Sequence, residues 1–175
     1  MARVTKPFLR LPVVSAGAEY LVMGYLMRRN VLAYKAPQNN EGYDLICIHP
    51  DPRHVPGPSS SGQVRVQVKS RYATDCDRGF LVKEASLGAF DYLVITFLNI
   101  GSFSRGMGGS EGAREVEFFT LPREFVRAHH DTSTSWQKVR LRGLDEALEP
   151  YAGMKGFDQI ARDLGIPYPA RPANA

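Results

Sequence analysis

Two carboxylates of this sequence stand among apolar residues, where an unpaired charge is costly. Glu19 interrupts a long apolar run, and Asp44 lies inside the apolar segment YDLICI. Each carboxylate therefore needs a partner, either a basic side chain or a cation. A third segment, GQVRVQVKSR at residues 62–71, carries groups that meet this need.

Valines alternate with polar residues in that third segment, which predicts a β-strand with one apolar face. The polar face carries Gln67 and Lys69 one pleat apart, flanked by Arg65 and Arg71. Magnesium takes oxygen ligands in proteins, usually one or two carboxylates together with waters and substrate phosphates. The two carboxylates and the amide oxygen of Gln67 are therefore a candidate Mg²⁺ site, and Lys69 adds a positive charge beside it.

One helix and two strands must position these residues. Apolar residues at helical spacing predict a helix that is capped by Ser15 and carries Glu19. The segments VLAYKAP and YDLICIHP are predicted as successive strands, and QVRVQVKSRYA as the next one. The first helix is apolar nearly all round, so we expect it to be buried on more than one side or to form a homodimer contact.

The remaining segments predict a mixed α/β domain with a central β-sheet flanked by helices. FDYLVITFLNI is a continuous apolar run, typical of a buried strand inside a sheet. MKGFDQIARDLGI is amphipathic and ends at Gly165, a typical C-terminal cap. A single domain is predicted over residues 1–175, with a core at about 15–130, a helix at 153–165 and a flexible tail at 166–175.

Composition narrows the range of partners. The net charge of +4 and the pI of about 9.2 favour a polyanion such as nucleic acid. The two cysteines, Cys47 and Cys76, lie far apart without the spacing of a zinc site. No apolar run is long enough to cross a membrane and the first residues do not resemble a signal peptide, so we expect a cytoplasmic protein without a membrane partner.

Three motifs together resemble the PD-(D/E)XK nuclease superfamily, and more narrowly its Holliday-junction resolvase-like and endonuclease-like branches. They are GAE at the start of the first helix, GYDLI in the second strand and VQVKSR in the third, within a resemblance that covers roughly residues 15–100. It implies a restriction-endonuclease-like fold with a central four-stranded mixed sheet, flanked by helices, plus one extra strand and helix.

The resemblance also implies a metal site and an activity. The pattern places a helix Glu, a strand Asp and a (D/E)-x-K pair around the metal, and Glu19, Asp44, Gln67 and Lys69 stand at those positions. Gln67 departs from the acidic residue of the pattern, although some branches carry Gln there. The implied activity is hydrolysis of phosphodiester bonds in nucleic acid, with DNA expected, using Mg²⁺ or Mn²⁺ as a substitute.

The implied roles are metal ligand for Glu19, Asp44 and, more weakly, Gln67, and positioning of the nucleophile or phosphate for Lys69. Backbone phosphate contacts are expected from four basic residues: Lys35, Arg65, Arg71 and Lys83.

Less specific interpretations remain open. Glu19 and Lys69 could form a structural ion pair between helix and sheet. Asp44 could bond the backbone beside a turn, and Arg65 and Arg71 could belong to an ordinary polar sheet face. On these interpretations the chain is a non-catalytic member of the fold that binds nucleic acid or another protein.

Overall fold

A computed structural model describes residues 11–37, 40–102 and 112–167 of the chain. Its strands are β1 Leu32–Lys35, β2 Leu45–Ile48, β3 Val64–Arg71, β4 Gly79–Leu81, β5 Tyr92–Phe97, β6 Glu117–Pro122, β7 His130–Asp131 and β8 Lys138–Arg140. Its α-helices are α1 Val14–Met27, α2 Arg123–Ala128, α3 Asp145–Leu148 and α4 Gly153–Asp163. Short 3-10 turns lie at Glu84–Ser86 and Glu149–Tyr151.

The main sheet is mixed and has five strands in the order β1, β2, β3, β5, β6. β3 pairs antiparallel with β2 but parallel with β5, while β1 and β6 form the antiparallel outer pairs. A smaller sheet has the order β4, β8, β7. The α/β class with a mixed sheet and flanking helices is thus confirmed; the main sheet has five strands, and three further strands form the smaller sheet.

Side-chain alternation divides the interior into two cores, one on each face of the main sheet. On the first face, Val64, Val66 and Val68 of β3 pack with residues of α1 and α4. On the second face, Leu93 and Ile95 of β5 pack with the smaller sheet and α2. All six residues of β5 are buried, as the apolar run predicts.

The first helix differs from its predicted form. It begins at Val14 and has no side-chain cap, so Ser15 lies inside the first turn and not at the cap. Its inner face, formed by Ala18, Val22 and Leu26, is fully buried. Among the described residues nothing buries the outer face, so burial of α1 on a second side is not observed there, and the homodimer stays a prediction. The large exposed side chains of this face are Tyr20, Leu21 and Met27.

The C-terminal helix is confirmed as an amphipathic packing element. Gly165 has a φ of +71° and donates its N–H to the carbonyl of Arg162, as a C-terminal cap requires. Ile166, which we assigned to the tail, is 3% exposed and belongs to the first core. The rest of the predicted tail from residue 168 lies outside the described residues. No helix in the described ranges has the length and apolarity needed to span a bilayer.

Candidate metal and nucleic-acid site

Asp44 lies where β2 and β3 separate. The residue precedes the first residue of β2, and its backbone N–H still donates to the carbonyl of Val66, at 2.8 Å. One position further along, its carboxylate oxygen Oδ2 accepts the backbone N–H of Val68, at 2.6 Å. The carboxylate thus takes the place of a backbone acceptor where the pairing ends, and this bond fixes its position between Gln67 and Lys69.

Gln67 and Lys69 lie on either side of that hydrogen bond and on the same face of β3. Since Val66 and Val68 point into the first core, alternation turns these two polar side chains toward the opposite face. The amide oxygen of Gln67 is buried and has no hydrogen-bond partner among the described residues. Lys69 is half-buried and makes no hydrogen bond or ion pair within the described part of the chain. A buried acceptor and a lysine therefore remain available beside Asp44.

Glu19 is carried by the first helix, α1. It follows the buried Ala18, and its side chain is 18% exposed. Its carboxylate forms an ion pair with Lys35 of β1. The alternative pairing of Glu19 with Lys69 is therefore wrong, because the helix is tied to the sheet through a different lysine.

Glu19 and Asp44 line one pocket of about 190 Å³. Lys35 and Tyr43 contribute to the same wall, and so does Asn40, whose side-chain amide donates to the carbonyl of Tyr43 at 2.8 Å. Gln67 and Lys69 are not part of this lining. The structure therefore brings two of the four predicted site residues into one pocket, and Asp44 links that pocket to the other two through β3.

The oxygen atoms of Glu19, Asp44 and Gln67 are of the kinds that Mg²⁺ prefers as ligands. Two carboxylates and one unpartnered amide oxygen are hard oxygen ligands, and waters or substrate phosphates normally complete such a set. No cluster of three or more His, Cys, Asp or Glu residues suited to a metal occurs in the described ranges. Glu19 and Asp44 are the acidic residues of the pocket lining, and Gln67 lies outside it.

Arg65 is engaged in an internal network. Its backbone N–H and guanidinium donate to the carboxylate of Asp91 at distances of 2.8 to 3.2 Å. Arg123 of α2 bonds the same carboxylate. Burial raises the pKa of Asp91, but the hydrogen bonds and charges of the two arginines outweigh it and hold that pKa below its ordinary value. Through Asp91, Arg65 thus joins β3 to α2. The alternating pattern of β3 in the sequence does not indicate this role.

Arg71 is also bound within the chain. Its guanidinium donates to the carbonyls of Asp77 and Gly79 and lies 4.5 Å from the ring centroid of Phe80. Lys83, by contrast, is exposed beside the first 3-10 turn. Of the four predicted phosphate contacts, Lys83 is therefore the one whose side chain is most open to a partner.

Two further residues of this region were not foreseen. Asp91 directly precedes the buried strand β5. Nothing in the sequence around it indicates that it pairs with two arginines. Tyr20 lies on the exposed face of α1, and the Nζ atom of Lys35 is 5.2 Å from its ring centroid. An exposed aromatic residue next to Glu19 is visible in the sequence, but its contact with β1 is not.

Comparison with known proteins adds no evidence for a family, so any family relation is argued from the sequence motifs alone. No protein-family model matches the chain, and no curated protein matches it significantly. The relation to the PD-(D/E)XK superfamily therefore stays a prediction, argued from Glu19, Asp44, Gln67 and Lys69 and from the elements that carry them.

Proposed function

We propose that the chain is a Mg²⁺-dependent nuclease that hydrolyses phosphodiester bonds, with DNA as the expected substrate. One observation carries the proposal: the Asp44 carboxylate is fixed at the point where β2 and β3 separate, in one pocket with Glu19 and between Gln67 and Lys69 on the neighbouring strand. Two carboxylates in one pocket, one of them bonded to the strand that carries an unpartnered amide oxygen and a lysine, suit binding of a divalent cation and a phosphate.

Each residue has a distinct role in this proposal. A bound Mg²⁺ would polarise a phosphoryl oxygen and lower the pKa of an attacking water. Glu19 and Asp44 hold the cation, and Gln67 adds a neutral ligand or orients a water. Lys69 positions the nucleophile or offsets phosphate charge, because its ammonium has no competing carboxylate in the described part of the chain.

The proposal includes the restriction-endonuclease-like fold. The order α1, β1, β2, β3 followed by β5 parallel to β3 supports it, since it places the predicted acids on the first helix and at the start of the second strand. A homodimer through α1 and a cytoplasmic location remain predictions within the same proposal.

The rival function is a non-catalytic module on the same fold, binding nucleic acid or protein. Two observations favour it: Gln67 carries no charge, and Glu19 is already neutralised by Lys35. Both lower the expected affinity for a cation.

Cleavage of linear, nicked and branched DNA with Mg²⁺ or Mn²⁺ separates the two functions. Asp44→Asn keeps an oxygen that can accept the Val68 N–H but loses the charge, and Lys69→Ala removes the unpaired ammonium. We expect each variant to lose about 10²-fold or more in rate.

The matched control is Lys155→Ala, which removes a lysine from an exposed pair with Glu149 on the far side of α4. It should cut like the wild type. Equal cleavage by wild type, Asp44→Asn and Lys69→Ala would indicate a contaminant and overturn the proposal. Intact DNA that is nevertheless bound would support the rival.

A further inference from the structure

Lys35 is held between a predicted metal ligand and an aromatic ring. Its ammonium pairs with the carboxylate of Glu19 and lies 5.2 Å from the ring centroid of Tyr20. The lysine side chain is 35% exposed, whereas that of Glu19 is 18% exposed. Glu19 is therefore the more buried partner of this ion pair.

Backbone pairing fixes Lys35 at this place. It stands opposite Leu45 in the register of β1 and β2, and the next residue, Ala36, donates its N–H to the carbonyl of Asp44 at 2.8 Å. The strand pair thus sets the lysine beside both carboxylates of the pocket.

The charges of Glu19, Asp44 and Lys35 in this pocket partly cancel. Glu19 and Asp44 alone would place two negative charges in one small pocket, which is unfavourable at close range. Lys35 reduces the net charge of the pocket to one negative charge. The same ammonium, however, occupies the position from which a divalent cation would approach Glu19.

We infer that Lys35 is an internal counter-ion that competes with a divalent cation for Glu19 and, once displaced, supplies its charge to a substrate phosphate. This inference rests on the proposed function and adds a coupling between its two ligands. The face of Tyr20 keeps the displaced ammonium near the pocket by a cation–π contact.

Coupling of this kind is reciprocal. Cation binding frees Lys35 for phosphate, so nucleic acid should bind more tightly when the cation is present. A phosphate that draws Lys35 away from Glu19 should in turn raise the affinity for the cation. Loss of Lys35 should therefore act on the two ligands in opposite directions.

Calorimetric titration with Mn²⁺ alone, without nucleic acid, tests the competition. We expect Lys35→Gln to bind Mn²⁺ about tenfold more tightly than the wild type, a change of about 1.4 kcal/mol. Lys35→Arg keeps the charge and should bind as the wild type does, which separates loss of charge from a folding defect. Lys155→Gln removes a lysine from the distant pair with Glu149 and should also leave the affinity unchanged.

Anisotropy of a labelled DNA, kept intact and measured in EDTA and in Ca²⁺, tests the release of Lys35. The gain in DNA affinity on adding Ca²⁺ should be several-fold smaller for Lys35→Gln than for the wild type. Equal Mn²⁺ affinity of wild type and Lys35→Gln, or a weaker affinity of the variant, overturns the inference while leaving the proposed function intact. If no variant binds Mn²⁺, the metal site and the proposed function fall together with it.

Discussion

Gln67 is the residue on which the choice between an active nuclease and a non-catalytic module most depends. Its amide oxygen is buried without a partner in the described part of the chain, and leaving a buried polar atom unsatisfied costs free energy. Coordination of a cation by this amide oxygen would satisfy it and offset that cost. A glutamate at the same position would add charge but would also stand close to Asp44, across the diverging strands.

Gln67→Glu should therefore lower the stability of the fold without a cation and increase the stabilisation that a cation provides. In EDTA we expect a loss of about 1–3 kcal/mol in the free energy of unfolding, because a half-buried carboxylate faces Asp44. With Mn²⁺ the variant should gain more stability than the wild type, since ligand binding stabilises the folded state. Thermal unfolding in both conditions measures this, with the exposed Gln63→Glu as control. A variant that shows no added response to Mn²⁺ would speak against Gln67 as a ligand.

Residue chemistry in the sequence predicted the site only in part. Alternation in β3 is local, so the shared face of Gln67 and Lys69 followed directly from the pattern of valines. The ion pair of Glu19 with Lys35 joins a helix to a strand 16 positions later, a contact that depends on tertiary packing. A backbone bond of Asp44 is one of the interpretations that the sequence leaves open, but its donor, the N–H of Val68, is set by the pairing of β2 with β3 and not by a nearby turn.

At the scale of elements, α4 approaches β6 closely at a glycine. A Cβ at Gly156 would lie 2.8 Å from the Cβ of Thr120 and would also meet the carbonyl oxygen of Tyr151. Gly24 of α1 is the opposite case, because a Cβ there would have no neighbour within 4 Å. A side chain at position 156 would therefore collide with its neighbours, whereas a side chain at position 24 would not.

Alanine at the two glycines should have effects of opposite sign. Gly156→Ala should lower the free energy of unfolding by about 1–3 kcal/mol, because the added methyl group overpacks the contact between α4 and β6. Gly24→Ala should raise it by up to about 1 kcal/mol, since alanine favours the helix and fills open space. Urea unfolding of both variants measures the difference. A stabilised Gly156→Ala would show that α4 can move away from β6 at little cost.

Long periodic elements were predictable from their own patterns, whereas the pairing of the short strands was not. β5 and α4 carry unbroken apolar or amphipathic patterns, and both occur where the patterns predict them. The smaller sheet is built from strands of two or three residues; the segments GFLVKEAS and SWQKVRLRG indicate the strands β4 and β8, but they are too short to indicate a partner. Pairing of β4 with β8 depends on the core that forms beneath them, which includes Phe80 and Val139.

At the scale of the whole molecule, one charged network ties the main sheet to α2. Asp91, just before β5, receives bonds from Arg65 of β3 and from Arg123 of α2. Burial raises the pKa of this carboxyl, yet the arginines hold it below its ordinary value. A lowered pKa means that the ionised form is favoured more in the folded state than in the unfolded state. The network therefore stabilises the fold above the unfolded pKa of about 4 and is lost as the pH falls through the folded pKa.

Asp91→Asn should accordingly cost stability at neutral pH and little in acid. At pH 7 we expect a loss of about 2 kcal/mol, typical for hydrogen bonds to a charged group. As the pH falls through the lowered pKa of the folded state, the wild-type carboxyl also becomes protonated, so the two unfolding curves in urea should converge. Asp145→Asn is the control, because its pair with Arg78 is exposed and such pairs contribute little at any pH. A difference between Asp91→Asn and wild type that stays constant from pH 7 until the wild-type carboxyl is protonated would mean that packing of the side chain, and not its charge, joins β3, β5 and α2.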